Sequence, residues 1–518
     1  MPASLFNRIK PDEIADRLDG EYYSRELLEN EDKLGRFNQV TLESSVTNAR
    51  NAISDLTSNG SFEFLRGIEF NDSSGIPYIR TQNLMEGYID GADVIYVDIK
   101  CKEMVAKSLC ETGDLVVCRK GKVGAASAVS VEMNGAAISE NVTRFRLQDN
   151  YDGDFLAAFL NSNHGRMRFL REATGVIQKW INNEKLRQIK VVRIEPQAEK
   201  YIGDKVRQAE QLRAWAKLCR GKINDYFDGL FTGISLTKPE HHHTRISLDI
   251  LVPRLNAEYY SDHYTQVEKG LLDRFGKLTT LGRLAPTVRA KIKPSADCIY
   301  KEIGDLDVGK GAFSSGTFYK YGEAPNNAQR VFDEGDVAVS TRRPNRGAIA
   351  VIEESSSTTF YSVFLARLKP KNKNFGYWLK EFLRHDAGKL LLLQRCTWTT
   401  YPVISEDDIE TIPVPEIPND WDFVARLSKQ SVELEAFATN LTRSAKTLVE
   451  GLIEGQLTEQ QLIQAQQALD DGDNSLDQAI LGKLSNEGYA IEGSTLLFSD
   501  LDELYRLLES ATQAETEE

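Results

Sequence analysis

The sequence predicts an α+β protein written twice in tandem, each copy a globe of short strands and helices followed by one long helix. Two matches and one periodicity carry this reading. Arg17-Leu18-Asp19-Gly20-Glu21-Tyr22-Tyr23-Ser24 returns as Arg254-Leu255-Asn256-Ala257-Glu258-Tyr259-Tyr260-Ser261, identical at six of eight positions. Gly113-Asp114-Leu115-Val116-Val117 returns 222 positions later as Gly335-Asp336-Val337-Ala338-Val339. A heptad of apolar residues over Tyr201 to Phe231 recurs at the same spacing, over Phe423 to Ile453. A period this long is a duplicated domain, because solenoid repeats run to about 20–50 residues.

Each copy opens with a short helical lead. In the first, Pro77 to Arg80, Asp114 to Cys118, Ala125 to Val131 and Thr143 to Leu147 read as strands punctuated by Gly and Asn, followed by a helix over Phe155 to Leu170. The second repeats this with strands at Asp336 to Ser340, Gly347 to Ile352 and Phe364 to Leu368, then a helix over Tyr377 to Leu393. A β-like run ending in proline closes each globe, Val191 to Pro196 and Ile412 to Pro418.

In the first long helix, Ile202, Ala209, Ala216, Ile223 and Leu230 form one column and Leu212, Cys219 and Tyr226 the other. The second keeps the phase, with Val424, Ser431, Ala438, Ala445 and Leu452 beside Leu427, Leu434, Leu441 and Leu448. A seam this narrow predicts a coiled coil. Between the copies lies a polar linker containing Gly233, Pro239 and His241 to His243; three adjacent histidines can bind metal, but a crossing loop is the reading adopted. Beyond Leu452 the chain turns glutamine-rich (Gln460 to Gln467) and acidic (Asp470 to Asp477), ending in a helix expected over Ser499 to Ser510. The first helix has no such sequel.

At 518 residues the chain has ample length for sizeable cores. The net charge of −14 is uneven: residues 455–518 carry 14 acidic side chains against Lys483 and Arg506, so the other 454 residues hold only −2. A local basic face is therefore compatible with the overall charge. Met1 to Arg17 has no apolar signal region and no run approaches a bilayer span, so a soluble cytoplasmic protein without membrane contact is expected. The six cysteines form no CxxC pair and are read as reduced thiols acting as small apolar residues.

A search for catalysis finds no catalytic or metal set. Adenine methyltransferases hold their flipped base with an Asp/Asn-Pro-Pro-aromatic loop, and the chain has no Pro-Pro dipeptide. Gly304 to Lys310 imitates a phosphate-binding loop, but Gly311 stands where Ser or Thr should hold magnesium. His164, His263 and His385 have no repeated acid or nucleophile beside them.

What does repeat is polar loops. After each Gly-Asp strand comes a basic loop: Arg119, Lys120 and Lys122 in the first copy, Arg342, Arg343, Asn345 and Arg346 in the second. Such side chains contact phosphates or donate to guanine edges, whereas the plain alternative is a solvated turn. Matching basic loops favour DNA. After the later helix come Lys179, Trp180 and Asn182 in one copy and Trp398 and Thr399 in the other, either a groove-reading surface or, for the tryptophans, core anchors. Arg80, Thr81, Gln82 and Asn83, following a strand, form a third candidate.

The duplicated plan, the two Gly-Asp strands, the Ile79 to Leu84 stretch (Ile-Arg-Thr-Gln-Asn-Leu) and the apolar-Pro runs resemble the specificity subunit of type I restriction-modification systems. The resemblance covers residues 1 to about 454. It implies target recognition domains at 1–196 and 246–418, spacer helices at 197–231 and 419–454, a linker at 232–245 and an acidic extension at 455–518. It further implies that each domain reads half of a bipartite, asymmetric double-stranded DNA site. The helices would pair as an antiparallel coiled coil through Ile202, Leu212, Ile223 and Tyr226 against Leu434, Leu441 and Leu448. Chemistry would belong to partners: two modification (methyltransferase) subunits using S-adenosylmethionine, and restriction subunits using ATP and Mg, with no cofactor on this chain. The rival expectation is a protein-binding scaffold of two homologous globes without DNA readout.

Overall fold

The computed structural model of the chain describes residues 20–175, 178–238, 257–398, 400–415 and 420–516, with Ile9, Ile14, Arg17, Asp19, Arg245, Ile246, Arg254 and Asn256. His241 to His243 of the linker and Pro418 of the second closing run lie outside these residues. The chain divides into two compact units, Met1–Arg213 with Ala436–Glu518, and Ala214–Glu435. Each unit thus holds one globe and a part of both long helices, Pro196–Leu230 and Trp421–Ile453.

In the first unit the apolar run Leu115–Cys118 is buried along its whole length. It pairs antiparallel with Val142–Phe145 on one side and Ala126–Ala128 on the other, with Ile53–Ser54 beyond. The helix Gly153–Asn161 buries Phe155, Leu156, Phe159 and Leu160 against this sheet. The Asn161 amide completes the sheet edge, donating to Ala126 O at 2.7 Å and accepting from Ala126 N at 3.2 Å. A second sheet runs Phe70–Asn71, Ile95–Val97, Ile76–Ile79, Ala137–Ile138, its last pair parallel.

The second unit repeats the plan. Val337–Ser340, again buried throughout, lies between Ile349–Val351 and Leu365–Leu368. Its companion sheet runs Thr317–Tyr319, Cys298–Lys301, Thr359–Ser362, Ala328–Arg330, with the middle pair parallel. The fully buried Trp378 stacks between Phe375 and Phe382, with ring centroids 5.3 and 5.2 Å away. Burying a large apolar side chain stabilises by about 1.5–3 kcal/mol, so this cluster anchors the unit. Each globe closes on an early strand: Asn38–Thr41 pairs with Lys190–Arg193, and Leu278–Thr280 with Pro413–Pro415.

The repeated Gly-Asp pair is structural. Gly113 and Gly335 take φ of +86° and +83°, conformations that a side chain would strain. The aspartates then lock the turns: Asp114 Oδ2 accepts from Glu111 N and Asp336 Oδ2 from Asp333 N, both at 2.8 Å. Each carboxylate also meets an arginine on or just past the adjacent strand, Arg146 at 3.2 Å in the first copy and Arg367 at 2.5 Å in the second. Burial raises the Asp336 carboxyl above its ordinary value against the opposing pull of the Asp333 N–H and Arg367.

The single helices predicted over Phe155 to Leu170 and Tyr377 to Leu393 are each two. Gly153–Asn161 gives way to Asn163–Glu172 at Ser162, and Phe375–Arg384 to Asp386–Gln394 at His385. Both hinge residues are extended and cap the next helix, Ser162 Oγ accepting from Gly165 N and His385 Nδ1 from Ala387 N. Glycine three residues on permits the turn, since a Cβ on Gly165 or Gly388 would strike the carbonyl of Phe159 or Phe382. The phosphate-loop imitation is a β-hairpin, Leu306–Asp307 against Ala312–Phe313.

The seam positions of the long helices are inward-facing. Ile202 and Leu212 are buried in the first unit with Leu441 and Leu448, and Ile223 and Leu434 in the second, where Tyr226 is half-buried and donates to Asp420 Oδ1 at 3.2 Å. In the first unit Arg213 reaches the other long helix, donating to Thr442 Oγ1 at 2.7 Å. In the second, Arg220 meets Glu435 at 3.0 Å. Residues after the distal helix fold into the helices Glu459–Asp470, Ser475–Leu481 and Leu501–Thr516, more structure than the one terminal helix expected. They belong to the first unit, where Asp477 accepts from Tyr201 and Lys205 of the central helix and from Tyr505.

Candidate nucleic-acid interface

The basic loops grow out of the central strand of each unit, and in both cases the tryptophan segment pairs with the loop. In the first unit, Cys118 donates its thiol to Lys120 O at 3.0 Å, and Gly124 N returns to Cys118 O at 2.9 Å. Gly121 and Gly124 take φ near +88° and +86°, and a Cβ on Gly124 would collide with the Phe169 ring. Trp180 forms isolated bridges with Lys120 and Thr174, and Ile181 N donates to Arg119 O at 3.0 Å. In the second unit Arg342 bridges Val403, Arg343 N donates to Pro402 O at 2.9 Å and Ile404 N to Thr341 O at 3.1 Å. The hairpin Thr397–Trp398 with Pro402–Val403 carries the tryptophan. Two stretches roughly 60 residues apart in sequence are thereby one surface, twice.

Both tryptophans are on that surface, Trp180 being 44% and Trp398 48% exposed, which corrects the core-anchor alternative. The ring that anchors the second core is Trp378. Lys120 and Gln82 are exposed, while Thr81 lies against the loop, its Cγ2 close to Gly121. Lys122 donates to Gln82 O and Leu84 O, each at 3.3 Å, tying the third candidate segment to the basic loop through neutral acceptors. Lys179 pairs with Glu21 at 2.9 Å.

Some candidates are occupied by the fold. Asn83 is buried, accepting from Arg80 N at 3.1 Å and donating to Asp90 O, so it shapes a turn and presents nothing to a ligand. Arg119 points inward, giving two hydrogen bonds to Glu140 O at 2.8 and 2.6 Å and lying 3.4 Å from the buried Asp55. Arg80 donates to Asp93 O at 2.8 Å, and Asn182 caps a helix by accepting from Lys185 N at 2.7 Å. Arg119 and Arg80 are recruited by backbone carbonyls 21 and 13 residues away, beyond local sequence reading, whereas Asn83 and Asn182 are held by backbone N–H groups three residues off.

In the second unit Arg343, Asn345 and Arg346 are exposed, and Thr399 lies outside the described residues. Arg343 holds φ +50° and ψ +53°, a left-handed conformation unfavourable for a residue with a Cβ, at the head of the turn Pro344–Arg346. Its guanidinium sits 5.1 Å from the Tyr401 ring centre, whereas Arg342 lies 4.7 Å over Phe364. Tyr401 is therefore part of the surface, a platform beside the loop arginine. Flat, exposed cations and rings on paired loops suit phosphates and base faces.

His164 and His385 are structural. His164 is buried with Nδ1 2.6 Å from Asn30 Oδ1, burial lowering its pKa, and His385 stacks on Phe231 at 4.7 Å. All six cysteines are buried thiols, and burial pushes that of Cys110 up to about 12. Among the described residues no three His, Cys, Asp or Glu side chains gather as a metal site, and no helix is long and apolar enough to cross a membrane.

Against known proteins, no family model and no curated protein matches this chain. Among solved structures, three to which the chain is similar are the following. The S subunit from M. genitalium is 12% identical, with TM-score 0.37, covering 83% of this chain and 96% of that one. The HsdS subunit from Thermoanaerobacter tengcongensis is 13% identical, with TM-score 0.27 and coverages of 81% and 97%. A third, from work on complex assembly and conformational transition of the type I R-M system, is 15% identical, with TM-score 0.28 and coverages of 81% and 98%.

Proposed function

We propose that this chain is a non-catalytic, sequence-reading subunit of a type I restriction-modification assembly. Each globe reads one half of a bipartite, asymmetric duplex DNA site, and the chain directs methyltransferase and restriction subunits to it. The observation that carries the reading is the recurrence, in both units, of a basic loop at the end of the central buried strand bridged to the segment that carries an exposed tryptophan, to Trp180 itself in the first and to Val403 of the Trp398 hairpin in the second. Arg and Lys there would hold phosphates and guanine edges, and the rings would pack against sugars or bases.

The long helices act in this proposal as an antiparallel coiled coil that sets the distance between half-sites. Their inward seams and the hydrogen bonds between them in each unit support it. A helix of 35 residues is about 50 Å long at about 1.5 Å per residue, enough to separate half-sites by about one turn of DNA, roughly 34 Å. S-adenosylmethionine, ATP and Mg would be used by the partner subunits.

Methylome sequencing of cells with and without the chain tests the proposal. Loss of methylation at one bipartite motif is expected, and an unchanged methylome would refute it. Steep weakening of DNA binding with salt separates this function from a protein scaffold, which has no such dependence.

A further inference from the structure

A cleft of about 700 Å³ opens in the first unit beside the reading loop. Gly121 and Lys122 line it on one side and Arg443 and Lys446 of the distal helix on another, with Arg166, Lys179 and Arg213 between. Glu86 is the lining carboxylate, paired with Arg166 and, at 2.6 Å, with Lys446. Two further carboxylates hold cleft cations, Glu21 on Lys179 and Glu210 on Arg213. Lys122 and Arg443 are bound by neutral acceptors, backbone carbonyls and Asn486. Six cations against three carboxylates in a concave wall focus a positive potential. The cations come from segments far apart in sequence, so no local motif announces them.

We propose that this cleft takes the phosphodiester backbone of duplex DNA next to the half-site read by the first globe, as a sequence-independent track. The inference rests on the DNA-reading function above. An extended polyanion fits better than a point anion because the cations are strung from the reading loop to the distal helix, with Glu86 seated among them. The track is continuous with the candidate interface through Gly121 and Lys122.

The test is the salt dependence of full-chain binding to a randomised duplex pool. Each phosphate neutralised contributes about 0.9 to the slope of log affinity against log salt, so Arg443→Gln with Lys446→Gln should make it shallower by between about 0.9 and about 1.8, Lys446 contributing less than a full share while Glu86 pairs with it. The loss should be equal on all sequences, with half-site preference kept. Glu86→Gln frees Arg166 and Lys446 and should steepen the slope and tighten binding, a gain that mere damage to the fold would not produce. A wild-type slope in the double variant, a loss confined to some sequences, or weaker binding by Glu86→Gln would overturn the track. Saturable binding of tripolyphosphate that the double variant loses, with the DNA slope unmoved, would assign the cleft to a small anion and also overturn it. If the wild-type chain itself shows no salt-dependent DNA binding, the function proposed above fails instead.

Discussion

Replacing Asp477 with Asn should destabilise the first unit severely, because the carboxylate is the counter-ion of a lysine with no access to water. The Lys205 side chain is 0% and that of Asp477 1% exposed, with Nζ 2.8 Å from the carboxylate. Tyr201 and Tyr505 donate to the same carboxylate, and burial holds both phenols well above their ordinary pKa. Removing one member of a buried pair costs about 3–5 kcal/mol, since an uncompensated charge remains. The amide retains an acceptor for the tyrosines, which places the expected loss near the lower end, about 3 kcal/mol. At about 2 °C or more per kcal/mol for large domains, thermal melting followed by circular dichroism should fall by about 6 °C or more. Protease cleavage within 455–516 should accelerate in parallel. Lys205→Met combined with Asp477→Asn removes both charges while keeping an acceptor for Tyr201 and Tyr505, and should recover most of the loss. A single variant that melts within about 2 °C of wild type, or a double variant as unstable as the single, would refute the account of the tail as ion-pair anchored.

Neutralising Arg342, Arg343 and Arg346 together should weaken DNA binding and make its salt slope shallower. Arg343 and Arg346 should supply most of the effect, about 0.9 each, because Arg342 lies against Phe364; an unchanged slope would place the loop in solvent. Exchanging residues 246–418 for the equivalent domain of a relative should alter one half of the methylated motif, and a change in both halves would show that the globes are not independent readers. Inserting one heptad after Gly221 or after Ser444 adds about 10 Å of helix at about 1.5 Å per residue. The gap between the half-sites should widen by up to about three base pairs with the bases unchanged, and an altered half-site with an unaltered gap would refute the ruler.

The sequence alone determined the duplication, the central strands and the phase of the long helices, because each is written in local periodicity. Continuous apolar runs such as Leu115–Cys118 and Val337–Ser340 bury both faces, and a heptad seam needs no knowledge of its neighbours. Tertiary structure decided which polar residues are available. Arg119 and Lys120 are adjacent and both basic, yet one is drawn inward by Glu140 O and Asp55 while the other faces solvent. Asn83 and Gln82 divide the same way. The helix breaks at Ser162 and His385 were equally hidden, since apolar periodicity continues across them and only the close passage of Gly165 and Gly388 over a carbonyl shows why they occur. The basic cleft and the Lys205–Asp477 pair unite positions 272 to more than 300 residues apart. Charge and burial depend on what the rest of the chain brings alongside, and that is a property of the folded molecule.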